Sequence, residues 1–205
     1  LEPFDSSFSE IIRSKGIHTH LITDHYHYFE DGGSTYHNRY TTWDFIRGQE
    51  WDKWKAMLQP PIERFKEKYH EIQHPLDNED PYGDGRLQGI INRESMKNEA
   101  DYCCPRSVEA ALKFLDDNHN NDNWFLHLEC FDPHEPFNAP ERFKQHYETG
   151  YQGPIFDWPR YKRHSETEEL TAEMKANYAA LVSMCDEYFG KLLDFFDENN
   201  KMFAF

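Results

Sequence analysis

Trp124-Phe125-Leu126-His127-Leu128-Glu129-Cys130-Phe131-Asp132-Pro133-His134-Glu135-Pro136-Phe137 is the stretch on which the reading of the fold turns. Through Phe131 it is mostly apolar on both alternating sets, the pattern of a strand buried on at least one face and central in its sheet. Beyond Phe131 a histidine and a glutamate stand between two prolines, each of which fixes its own φ and restricts the residue before it. A buried strand that runs into a constrained polar turn fits an open α/β layer, where ligands bind beyond the carboxyl ends of strands.

Outward from this strand the pattern is helical on both sides. Upstream, Val108, Ala111, Leu112 and Leu115 mark one face of a helix, with Ser107 as its N-cap and its end near Asn118. Downstream, Leu170, Met174, Tyr178, Leu181, Val182, Cys185, Phe189, Leu192, Leu193 and Phe196 recur by threes and fours, which predicts a helix of about seven turns. Near the start, Asp5, Ser6 and Ser7 offer N-caps and Gly16 a C-cap for a short helix over residues 6–15. Ile17 to Thr23 reads as a second strand, running into an aromatic, glycine-containing loop that ends at Gly33. Between Tyr36 and Tyr102 the pattern loosens into a loop-rich insertion. There Trp51, Trp54, Met57 and Leu58 suggest a helix stopped by Pro60-Pro61, Ile62, Phe65 and Tyr69 suggest another, and His74–Gly89 reads as an exposed loop.

With 205 residues, 38% hydrophobic and 16% aromatic, the chain can bury a core, which excludes disorder of the whole. A formal charge of −16 would repel phosphate backbones and anionic lipid, so nucleic-acid and membrane-surface partners are not expected. No apolar run approaches the roughly 20 residues of a spanning helix, and the chain reads as soluble. Four cysteines, two of them adjacent, read as reduced thiols and leave the compartment open. The opening residues Leu1-Glu2-Pro3-Phe4-Asp5 have neither an initiator Met nor a secretory pattern, and read as a cut point inside something longer.

The carboxyl ends of the two strands hold the candidate chemistry. After the first come Asp24-His25-Tyr26-His27-Tyr28-Phe29-Glu30-Asp31; after the second, Asp132-Pro133-His134-Glu135-Pro136. A histidine on a constrained turn at each strand end suits contact with an anion or donation of a proton to a leaving oxygen. His18, His20, His25 and His27 could also bind zinc, but the bend after Thr23 is expected to part the two pairs, and neither a paired CxxC nor an HExxH motif accompanies them. The aromatic residues Tyr26–Trp43, with Arg39, fit either a stacking pocket for a sugar or aryl group or core packing.

These residues resemble a known family. Trp124–Phe137 followed by Ala139-Pro140 is similar to the sulfatase strand with its P-H-x-P-F turn; the helix containing Tyr178–Asp186 and Leu192-Leu193-Asp194 is similar to the helix that follows in that family; Phe8–His27 resembles its helix-strand-G-K-W-H segment. The resemblance implies an α/β fold of the alkaline-phosphatase superfamily, a mostly parallel sheet with helices on both faces, of which residues 1–205 are the central part. It implies hydrolysis of a sulfate ester, with a sulfated small molecule or sulfated sugar as substrate. His134 falls on the family histidine that contacts sulfate and assists departure of the ester oxygen, and His27 on the histidine of G-K-W-H. His25 stands where the family has lysine, a departure, because an imidazole is cationic at neutral pH only under favourable surroundings.

The family also implies a formylglycine nucleophile made from C-x-P-S-R and a divalent cation, Ca2+ by resemblance, with both sets of residues expected outside this segment. Cys103-Cys104-Pro105-Arg106-Ser107 looks like that motif with its last two residues exchanged, but it follows the His25/His27 segment where the family's nucleophile precedes it, and it reads better as a helix start. The alternatives are a non-catalytic binding module on the same scaffold, or a phosphate or phosphonate ester hydrolase. The remainder of the polypeptide, or self-association, is expected to cover what the segment leaves open.

Overall fold

The computed structural model describes residues 4–73 and 85–199. Helix α1, Phe8–Ser14, is fixed by a capping box, in which Ser7 Oγ accepts from the Glu10 N–H and Glu10 accepts from the Ser7 N–H. Gly16, at φ 82°, lets the chain reverse into β1, His18–Thr23. Strand β2, Thr42–Phe45, and the helices α2, Ile62–Lys68, and α3, Arg86–Arg93, all lie within the stretch read as an insertion. They are followed by α4, Cys103–Asn118, β3, Trp124–Glu129, the short α5, Glu141–Lys144, and the long α6, Glu168–Asn199.

The sheet is parallel in the order β2-β1-β3. β1 is therefore the central strand of the three, buried from Thr19 on, whereas the expectation had placed β3 in the middle. The β3 side chains are only partly buried, and its far edge pairs with no described strand. Its two-sided apolar pattern is still used, one face toward α4 and α6 through Leu126 and Leu128, the other toward α1, where Phe8 meets Phe125 and His127 edge-on.

Helices cover both faces, as the α/β pattern requires. On one face Ile22 packs with Val108, Ala111 and Leu115 of α4 and Ala180, Leu181 and Met184 of α6. Complete burial of each of the larger side chains among them contributes roughly 1.5–3 kcal/mol. A second cluster, Phe65, Tyr69, Ile90 and Ile91, joins α2 to α3.

Three expectations need correction. The helix at Trp51–Leu58 does not form, because its backbone groups are taken by α3: Asn92 Nδ2 donates to the Asp52 carbonyl at 2.8 Å, Gln88 Nε2 donates to the Lys55 carbonyl at 2.9 Å, and the Lys55 N–H donates to Asn92 Oδ1 at 3.3 Å. Ser107 is no N-cap. The helix begins at Cys103, since Pro105 sits within its first turn, where a missing N–H costs nothing, and Ser107 is buried inside it. The loop read over His74–Gly89 falls largely on residues 74–84, outside the described ones; its end is the beginning of α3.

Candidate functional site

The three strands end level with one another, Thr23 standing opposite both Phe45 and Glu129. The turns that follow therefore leave the sheet side by side. Beyond β1 the buried Asp24 accepts a hydrogen bond from the Phe131 N–H at 2.7 Å, stitching the β1 turn to the β3 turn. A 3-10 turn over Tyr26–Phe29 then carries His27 outward. Beyond β3 the His134 N–H donates to the Phe131 carbonyl at 3.0 Å, closing the turn in which the Asp132-Pro133 and Glu135-Pro136 bonds are both cis.

The ring of Phe131 is the floor of the site, with ring centroids of His134, His25 and His27 at 4.3, 5.0 and 6.4 Å from it. The structure thus brings all three candidate histidines together. They differ in what they face. His25 Nδ1 lies 3.4 Å from Glu129, a carboxylate that also accepts from the hydroxyls of Thr23 and Tyr28, each at 2.8 Å. His27 donates from Nδ1 to Glu30 at 2.7 Å and turns Nε2 toward Glu50 at 3.7 Å. His134 donates from Nδ1 to the Glu135 carbonyl at 2.8 Å, with Glu50 3.7 Å from the same nitrogen. Because a carbonyl only accepts, Nδ1 of His134 carries hydrogen, and Nε2 is the nitrogen left to bind or give a proton.

Sequence reading missed Glu50, whose two carboxylate oxygens face the two imidazoles, one each. It follows β2, a strand too short and too exposed to display a period, so no sequence signal marks its carboxyl end. Below the turns lie two further acids. Burial, and then the neighbouring Asp132, push Asp24 well above the ordinary carboxylate range. Asp132 is pushed up to about 6 by burial, against a hydrogen bond from Gln49.

The zinc idea finds no support: His18 and His20 share the Thr42 hydroxyl at 2.9 and 2.7 Å, while His25 and His27 lie beyond the other end of β1. Among the described residues no group of three or more His, Cys, Asp or Glu is arranged to hold a metal ion, so these residues do not fit the divalent cation. Cys103 and Cys104 are buried at the start of α4. Burial raises the Cys103 thiol and hydrogen bonds from Cys130 and Cys185 raise that of Cys104, which disfavours the thiolate a nucleophile requires. No helix among the described residues is long and apolar enough to cross a membrane.

Comparison with curated proteins returns no match. Comparison with protein-family models matches residues 2–203 to the model described as Sulfatase.

Proposed function

From the premise that this chain belongs to the sulfatase family, we propose that it forms the central part of a catalytic domain that hydrolyses sulfate esters, with a sulfated small molecule or sugar as substrate. In this reading His27 contacts the sulfate group. His134 gives its Nε2 proton to the departing oxygen as the S–O bond breaks, leaving an alcohol and a neutral imidazole. His25 completes the substrate contacts from behind, held against Glu129. The formylglycine nucleophile and the ligands of the divalent cation, Ca2+ by family resemblance, are contributed from outside residues 1–205.

One observation carries the reading. His27 and His134 come from distant parts of the chain, yet both lie 3.7 Å from the same carboxylate, with their side chains 41% and 39% exposed. Two accessible imidazoles so placed can address one tetrahedral anion together.

The experiment is a leaving-group series on the enzyme that contains this segment. His134→Ala is expected to slow alkyl sulfates, whose departing oxygen is basic, about 10²- to 10⁴-fold, and activated aryl sulfates much less. Equal losses on both classes would reduce His134 to a binding role.

A further inference from the structure

Glu50 carries two costs that a residue of no consequence would shed. Its backbone is left-handed, with φ 44°, a conformation that costs a non-glycine residue on the order of 1–3 kcal/mol. Its side chain is only 6% exposed, where burial disfavours an ionised carboxylate. The geometry shows what offsets them: Oε2 stands 3.7 Å from His27 Nε2, Oε1 stands 3.7 Å from His134 Nδ1, and the Tyr26 hydroxyl donates to the carboxylate at 3.2 Å.

We propose that Glu50 is a positioning residue, which sets the spacing and orientation of His27 and His134 by facing one imidazole nitrogen of each with its two carboxylate oxygens. The inference depends on the sulfate-ester reading for what the imidazoles are used for, and not for what Glu50 does to them. Burial raises the pKa of Glu50, whereas attraction to His134, the Tyr26 hydrogen bond and attraction to His27 pull it back.

Other charges face the same groups from neighbouring elements. Glu30 meets His27 Nδ1, on a side chain 45% exposed and therefore screened by solvent. Glu135 lies 3.6 Å from His134 Nδ1, opposes ionisation of Glu50, and accepts from the Tyr161 hydroxyl. Asp132, beneath, is raised by burial, and attraction to His134 opposes part of that rise. Each of these is placed against a single histidine, while Glu50 spans both.

Imidazole-selective 15N–1H spectra, recorded at one fixed pH on the wild type and on Glu50→Gln, test the proposal. Glutamine keeps the volume and an oxygen for Tyr26 but removes the charge. The expected result is that the ring signals of His27 and His134 both move as the two imidazoles lose the group that orients them, while those of His18 and His119 stay in place. If either His27 or His134 keeps its wild-type signals, the proposal is overturned. Should Glu50→Gln not fold, the reciprocal variant decides: His134→Ala is expected to raise the titration midpoint of the Glu50 carboxyl 13C signal, and an unmoved midpoint overturns the proposal. Absence of sulfate-ester turnover in an enzyme whose two imidazoles respond to Glu50→Gln would sink the sulfatase assignment of the site and uphold this pairing.

Discussion

Asp24 and Asp132 set a pH response that the surface acids do not. Both are acids whose folded-state pKa lies above the ordinary 3.8, Asp132 at about 6 and Asp24 well above its own reference. For an acid raised in this way, the contribution to stability is fully present below the unfolded value and is lost as the pH rises through the folded one. Asp24→Asn keeps an oxygen for the Phe131 N–H and removes one charge from the pair. Its urea midpoint is therefore expected to gain on that of the wild type as the pH rises from the unfolded value of 3.8 toward about 6, where Asp132 titrates. A gap that stays constant over that range would contradict the assignment. The same residue scale shows what could be read in advance. His27 and His134 were legible because each follows a strand with a visible pattern. Asp24 and Glu50 were not, since nothing in Thr23-Asp24-His25 marks an acid whose backbone partner lies more than a hundred residues away, and nothing in Thr42-Trp43-Asp44-Phe45 announces a strand.

Among the elements, α3 has the widest effect for its length. Asn92 is fully buried and serves three partners, donating to the Asp52 carbonyl and accepting from the Lys55 N–H and from Gln88. This is why the apolar spacing of Trp51, Trp54, Met57 and Leu58 misleads: the spacing is helical, but the backbone is hydrogen-bonded across to another element. Asn92→Ala strands a buried carbonyl and a part-buried N–H, and a loss of about 1–3 kcal/mol in urea unfolding is expected, with the far-ultraviolet spectrum nearly unchanged. In α6, by contrast, propensity and burial agree, so the helix was readable. Leu181→Ala, at a site with no exposure, is expected to cost about 2–5 kcal/mol, whereas Val182→Ala, on the 38% exposed neighbour, costs well under that in the same assay.

At the scale of the molecule the dominant feature is the open side of β3. A groove of about 1120 Å³ runs along it, lined by Leu126, Leu128, Val182, Cys185, Phe189 and Leu192 among others. The α6 stripe was legible as apolar, but nothing in it distinguished the part that meets α4 from the part that faces this groove. Residues 1–205 on their own are expected to associate through this edge, because an unpaired strand beside an apolar face invites pairing with another chain. Sedimentation velocity checks this, and Phe189→Glu is expected to shift the population toward monomer. A monodisperse wild-type monomer with a cooperative melt would refute it. The same preparation is expected to release no more aryl alcohol from an aryl sulfate than buffer does, since the proposed reading puts the nucleophile and the cation ligands outside residues 1–205. Hydrolysis abolished by Cys103→Ala or Cys104→Ala would reverse that assignment.

The level ending of the three strands also bears on how such a site can diversify. Glu50, His27 and His134 each hang from a different strand, and Thr23, opposite Phe45 and Glu129, ties their starting points to one rung. A residue gained or lost inside any strand would shift one member by about 3.3 Å and turn its neighbours to the wrong face. A residue gained further out, beyond the histidines, would leave these three residues in place and reshape only what surrounds them. Lineages that change substrate while keeping the chemistry are therefore expected to differ in loop length and to share strand length.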